Sequence, residues 1–444
     1  MLATLWGEQA FAFYLNMWPR FAHLGAAGMR VMDRPCFYPQ CDFSVFWPAG
    51  VLARAGDVAR VYAPGAFEAV RQGFFGADVG PMAWYYPPPA LLAVTPFSYL
   101  PFEPAFYAWS AVLTGLAAWV LRRAGLPWAV VAAGLLSPAG LWNFEQGQWG
   151  AVTGAAFLGG LLLMGKREMA GGAVLGFLVM KPQAALLAPA ALLGAKAWRT
   201  LAVAAATAVG LAGLATMVFG VGVWRDAALQ GSGSVGTVLV NPDVMGAAKF
   251  GVSVFWMLRG FGAGLVLAGA GQVAAAAAAC GVIFWAWRAP RLDNFTRAAL
   301  TACMAVLVSP HFYTDDMVGY SLALALMAWR RGWQIDWLDM GLFCWPMLTP
   351  LVFEGTGWLL TPLVVAVAAA KLVWSGVARD ARAAAVGCGG RAARGGGLRE
   401  IGLGGAGLCR AGAGVVGGFA GVLGGDGAKA LACRAGGYAA GRLA

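Results

Sequence analysis

Few side chains in this 444-residue chain can do ionic or acid–base chemistry, since only 11% are charged. Asp42 is a carboxylate able to take a proton from a hydroxyl, or simply to cap the helix after it. Lys181 precedes Pro182 in the middle of an apolar run. Its ammonium could neutralise an anion or snorkel toward water from a helix break. Asn143, Gln146 and Gln148 carry amides, which both donate and accept and so suit hydroxyl recognition; capping and helix contacts use the same groups. The run Ser309-Pro310-His311-Phe312-Tyr313-Thr314-Asp315-Asp316 opens an apolar stretch with adjacent acids. Asp315 and Asp316 could orient a polar group or hold a divalent ion, or favour a helix N-terminus. Lys249, Arg225 and Arg259 are further cations that could share in binding an anion or remain surface charges. Trp84, Tyr85 and Tyr86 offer ring faces for stacking, or an aromatic belt at a membrane interface.

Something must bring these scattered groups together, and composition names the scaffold. Hydrophobic residues make up 60% of the chain and mean hydropathy is +0.69, whereas a soluble domain carries about 25% charged residues. The expected fold is an all-α, polytopic integral membrane bundle. The net charge of +11 is spread between apolar spans rather than gathered on one face, which argues against nucleic acid as a partner. The eight cysteines show neither CxxC nor metal spacing. Cys280, Cys303 and Cys344 read as small apolar residues within spans, while Cys36 and Cys41 share the loop before Asp42, where a disulfide could form. Two histidines, His23 and His311, exclude a His-rich metal site and leave one built from carboxylates alone open.

Apolar runs predict spans near 104–121, 126–143, 150–165, 200–221, 262–287, 298–311, 316–329, 339–353 and 356–376. Residues 170–195 break the pattern at Lys181-Pro182. A lysine at mid-membrane costs about 2.5–3.5 kcal/mol and proline removes a helix hydrogen bond. Two short helices, 170–181 and 182–195, relieve both penalties by placing Lys181 at a membrane mouth. Residues between Tyr86 and Pro101 are too few for a span and predict a dipping or interfacial segment. With this folding the basic pairs Arg122-Arg123, Lys166-Arg167, Lys196/Arg199, Arg288/Arg291, Arg330-Arg331 and Arg379/Arg382 share the cytoplasmic side. Asp42, residues 143–148, Lys181, residues 224–249 and residues 311–316 then meet at an extracytoplasmic mouth.

The two ends depart from this order. Residues 1–41 are irregular, with a poor span at 9–26 interrupted by Pro19-Arg20 and His23, and the first transmembrane helix is expected to be missing or damaged. Residues 377–444 form a Gly/Ala/Arg-rich tail without helical or strand period, expected to be disordered. A wrong start and a frameshift in a GC-rich gene would account for both. The membrane domain is therefore placed at 42–376.

The order of motifs resembles glycosyltransferase family 87, membrane enzymes of the GT-C superfamily. Asp42-Phe43 is followed by Gly56-Asp57, Val61-Tyr62-Ala63-Pro64, Tyr86-Pro87-Pro88, Gly147-Gln148, Lys181-Pro182, Lys249 with Ser253-Val254-Phe255, and Ser309-Pro310. The resemblance implies a GT-C-like bundle with short broken helices and an extracytoplasmic active-site mouth. It implies transfer of a hexose, mannose foremost, from a polyprenyl-phosphate sugar to a lipid or glycan acceptor, in a multi-pass inner (plasma) membrane protein. It also implies that Asp42 is the catalytic base, acting by inversion, and that no metal or nucleotide sugar is required. Lys181 would hold the donor phosphate. Tyr86, Asn143, Gln146, Gln148, Lys249, His311, Asp315 and Asp316 complete the expected substrate-binding set. A transporter or flippase of lipid-linked sugars, and an inactive family member, remain the rival expectations.

Overall fold

Proline and glycine decide where the helices stop. The computed structural model describes residues 41–76, 82–231, 236, 238–240 and 247–376. The expected irregular start, Cys41 apart, and the Gly/Ala/Arg-rich tail lie outside the described residues. Among those described no strand forms, and the one β contact is an isolated antiparallel bridge between Gly251 and Tyr313. The all-α expectation therefore matches.

Among the described residues the first helices are short: α1 (Phe43–Arg54), α2 (Val58–Tyr62), α3 (Pro64–Phe75) and α4 (Pro88–Val94). The last falls where the dipping or interfacial segment is expected, started by Pro87 in extended conformation and Pro88 at its first turn. Then α5 (Phe102–Arg123) runs 22 residues, about 33 Å. The single span expected at 126–143 is instead two helices, α6 (Trp128–Leu135) and α7 (Pro138–Gln146). Pro138 has no N–H to continue α6, and the Ser137 hydroxyl accepts from Gly140 N to start α7 anew.

Next come α8 (Gly150–Met164) and α9 (Glu168–Gly176), the latter prolonged by a 3-10 turn at Phe177–Met180. The chain breaks at Lys181, re-forms as a 3-10 turn over Pro182–Ala185, and continues as α10 (Ala188–Gly194). The two half-length helices expected around Lys181-Pro182 are thus present. After them come α11 (Trp198–Phe219), α12 (Gly222–Asp226), α13 (Val254–Gly260), α14 (Leu265–Arg288), α15 (Asn294–Met304), α16 (Val318–Arg330) and α17 (Trp337–Thr356), then α18 (Thr361–Gly376). Among the described residues three helices, α5, α11 and α14, are long and apolar enough to cross a membrane. The other expected spans are shorter apolar helices or, for α17, a helix interrupted by Pro346 and Pro350.

Glycines let the central helices touch backbone to backbone. A Cβ on Gly154 of α8 would lie 2.5 Å from Gly319 N on α16, and one on Gly171 of α9 would lie 2.9 Å from Gly160 O on α8. Gly172 and Gly176 bring α9 equally close to α11 at Thr200 and Ala204. Such small-residue seams give van der Waals contact where lipid leaves no hydrophobic drive between helices.

The two ends of this bundle differ in chemistry. At the far end of α8 a Cβ on Gly165 would sit 3.1 Å from Asn294 of α15. There Arg330 pairs with Asp293 at 2.7 Å, Arg331 with Asp339 at 2.8 Å and Lys371 with Asp339 at 2.9 Å. Arg122 and Arg123 at the end of α5 stack over Trp128 and Trp119 at 5.0 and 5.5 Å. The near end of α8, at Gly150, faces Asp315, about 20 Å away along a helix of this length.

Gly154→Leu should cost about 1–3 kcal/mol or block folding, because the added side chain meets backbone rather than a flexible neighbour. Gly210→Leu, where nothing lies within 4 Å, should be neutral. Thermal unfolding in detergent measures both; equal Tm values would contradict the seam.

Candidate active site

The near end is built on an aromatic floor. Trp109 and Trp149 meet edge to face at 4.8 Å, and Phe46 packs on Tyr86 at 5.2 Å and on Trp84 at 6.1 Å. Trp84 and Tyr86 are 1% and 8% exposed. They are core residues, which corrects the interfacial-belt reading; only a buried platform gives their rings neighbours on all sides. Above the floor α7 ends at Gly147, whose φ of 65° is left-handed. A side chain there would also strike Phe43 Cβ at 2.8 Å, so glycine is required twice over. Its carbonyl accepts from Trp109 Nε1 at 2.6 Å, and this fixes the next residue, Gln148.

Gln148 is the hub of the site. Its Oε1 accepts from Tyr86 Oη at 3.1 Å, from Trp149 N at 3.0 Å and from Lys181 Nζ at 3.3 Å. Three donors converging on one atom settle the amide orientation, because Nε2 cannot accept from any of them. Nε2 therefore faces Asp42 and donates to its Oδ2 at 2.8 Å. Lys181 Nζ also bonds Asp316 Oδ1 in an ion pair buried on both sides. The other Asp316 oxygen accepts from Tyr313 N at 3.4 Å. Residues 42, 86, 148, 181 and 316 thus form one hydrogen-bonded chain, carboxylate–amide–ammonium–carboxylate.

Lys181 is 2% exposed. It does not stand open at the mouth or snorkel, as its place at a helix break suggested; the 3-10 turns on either side aim it inward at Asp316. Asp316 spends its two oxygens on Lys181 and the Tyr313 backbone, so the adjacent acids are not a paired cation clamp. Asp315 is buried beside them, with Oδ2 lacking a partner among the described residues.

Several expected site residues sit elsewhere or do other work. Asn143 Oδ1 accepts from Ala151 N at 3.1 Å and caps the start of α8. Gln146 ends α7, outside the chain through Gln148. Lys249 pairs with Glu354 at 3.4 Å on a half-exposed surface and lies over the Phe250 ring. The segment after it matters as a brace. Val252 N donates to Phe312 O, Thr314 Oγ1 to Phe250 O, and Trp256 Nε1 to Pro310 O. Phe250, Val252 and Trp256, which flank Ser253-Val254-Phe255, therefore brace the loop that carries His311, Asp315 and Asp316. His311 N donates to Ser309 Oγ; its ring joins no part of the chain through Gln148. Arg225 lies in the last turn of α12, and Arg259 in the last turn of α13 donates to Ala263 O just beyond it.

Sequence reading missed Arg71, which is wholly buried and bonds Ser44, two residues from Asp42. Its one local signal is Glu68, an i,i+3 acid 2.9 Å away.

Asp42 is the partly buried end of the chain. Burial pushes its carboxyl up to about 6, against the pull of Gln148's hydrogen bond and the charges of Lys181 and Arg71; Asp316 adds to the rise. The group is thus poised near neutral pH, where a general base is most effective. Cys41 beside it is disulfide-bonded, and its partner lies outside the described residues.

Residues 84–310 match the family model of Glycosyltransferase family 87. The chain belongs to glycosyltransferase family 87. The matched range takes in Tyr86, Asn143, Gln146, Gln148, Lys181 and Lys249, and ends before His311, Asp315 and Asp316. No curated protein and no solved structure matches the chain. As a member of glycosyltransferase family 87 it is a glycosyltransferase.

Removing one partner of the buried pair leaves an uncompensated charge, a loss of about 3–5 kcal/mol. Lys181→Met and Asp316→Leu should each lower thermal stability strongly, and the double variant should recover most of it. A double variant as unstable as the sum of the singles would show that the two groups do not pair.

Proposed function

We propose that this glycosyltransferase is a polytopic membrane enzyme that moves a hexose, mannose foremost, from a polyprenyl phosphate to a hydroxyl of a lipid or glycan acceptor. The reaction takes place at the extracytoplasmic face of the inner (plasma) membrane. The observation that carries the reading is the chain Asp42–Gln148–Lys181–Asp316, which puts a base poised near neutrality two hydrogen bonds from a buried ammonium. Support for the sidedness comes from the basic residues at the opposite end of α8 and α16, since Lys and Arg mark cytoplasmic ends. The disulfide at Cys41 fits an oxidising compartment.

In this reading Gln148 occupies Oδ2 of Asp42 and leaves Oδ1 to take the acceptor's hydroxyl proton. The acceptor oxygen then bonds to the anomeric carbon as the bond from that carbon to the phosphate oxygen breaks, with inversion. The leaving lipid phosphate gains charge. Lys181, with three N–H donors of which Asp316 and Gln148 take two, directs the third at that charge. A lipid phosphate is already a good leaving group, so the reading calls on no nucleotide and no metal.

Membranes bearing the chain should transfer labelled hexose from polyprenyl phosphate into lipid or glycan, and Asp42→Asn should lower the rate by about 10²–10⁴-fold. The base works ionised. With the carboxyl at about 6, the rate should be level above pH 7 and fall tenfold per unit well below pH 6. Gln148→Leu removes a bond that holds the carboxyl down, so that limb should move to higher pH. Full activity of Asp42→Asn would refute the base. Movement of unmodified donor across proteoliposomes, without a new glycosidic bond, would favour transport.

A further inference from the structure

Among the described residues the most deeply buried charge outside the chain through Gln148 is Arg71 on α3, at 0% exposure. A guanidinium so placed needs acceptors for its five donors, and the fold supplies an unusual one. Residue 48, inside α1, is proline. Its missing N–H leaves the carbonyl four residues earlier, Ser44 O, without a helical partner. Arg71 Nε donates to that carbonyl at 3.3 Å, and Nη2 donates to Ser44 Oγ at 3.2 Å. Proline thus opens a docking point on the helix whose N-cap is Asp42.

The other arm of the fork reaches the second segment of the site. Arg71 Nη1 donates to Glu68 Oε2 at 2.9 Å and to Met82 O at 3.3 Å. Glu68 Oε2 in turn accepts from Met82 N at 3.3 Å. One ion pair on α3 therefore grips both polar atoms of the Met82 backbone, at the head of the extended run that delivers Trp84 and Tyr86. Tyr62 Oη, donating to Tyr86 O at 3.2 Å, holds the far end of that run.

We infer that Arg71 is a positioning residue: by tying Ser44 to Met82 it fixes the Asp42 carboxylate and the Tyr86 hydroxyl against the two sides of Gln148. Both reach the same amide, at 2.8 and 3.1 Å, so a shift between their backbones opens one bond or the other. The inference rests on the transferase reading for its effect on rate, though not for its effect on the two backbones.

The test uses the full chain, purified in detergent, as wild type, Arg71→Met, Arg71→Lys and the double variant Arg71→Met/Pro48→Ala. Transfer kinetics with a polyprenyl-phosphate hexose are measured per folded molecule, alongside backbone hydrogen exchange. Arg71→Met should lower kcat by about 100-fold, the scale of an ångström's misplacement, with KM within about threefold. Exchange at residues 82–86 should accelerate, and Arg71→Lys should recover part of the rate. Pro48→Ala returns an N–H to Ser44 O, so the double variant should regain stability but not kcat. A kcat within about threefold of wild type in folded Arg71→Met, or its recovery by Pro48→Ala, overturns the inference. Should Arg71→Met fail to fold, Arg71→Lys carries the test: wild-type kcat and exchange there overturn it, and an intermediate loss upholds it. Should the wild type transfer no sugar, the transferase reading fails by itself. Exchange at 82–86 then decides, with unchanged protection in Arg71→Met overturning the inference and accelerated exchange upholding it.

Discussion

An ammonium cannot be sealed into an apolar bundle without a counter-charge, and the Lys181–Asp316 pair is the answer on which the rest of the site depends. Once Lys181 is held, a second of its three donors goes to Gln148. Gln148 is then locked by three donors on one oxygen, and its amide hydrogen has nowhere to point but Asp42. Polarity passes along four residues because each group shares a hydrogen bond with the next. Such a chain is worth more intact than in parts, since a half-satisfied buried network leaves an orphaned charge.

Backbone interruptions put each member of the chain in reach. Helical residues spend their backbone groups on one another, whereas the members of this hydrogen-bonded chain occur where a helix cannot continue. Lys181 lies between two 3-10 turns at a proline, Gln148 follows a left-handed glycine, and Asp42 precedes a helix that proline has left with an open carbonyl. Glycine seams between α8, α9 and α16 then bring the broken ends to one level of the bundle. The segment after Lys249 completes the arrangement from outside by bracing the loop that carries Asp316.

Sequence reading fared best where local chemistry decides. The helical character and the break at Lys181-Pro182 follow from residue type and apolar run length, and the structure hydrogen-bonds Asp42, Tyr86, Gln148, Lys181 and Asp316 together. It fared worst where a partner decides. Lys249 carries the same charge as Lys181, yet Glu354, 105 positions away, claims it at the surface. Asn143 reads as a hydroxyl contact but spends its oxygen on the start of α8. Trp84 and Tyr86 have the composition of an interface belt and the packing of a core.

The sequence by itself determined which groups exist and where the backbone must break, because hydropathy, proline and glycine act within a few residues. It determined the all-α class and the family as well. Only the tertiary structure decided which carboxylate pairs with Lys181, that Gln148 faces Asp42, and that Arg71 joins Ser44 to Met82. Those choices depend on contacts between residues as many as 135 positions apart, where a hydrogen bond forms or fails over a few tenths of an ångström and no local preference reaches.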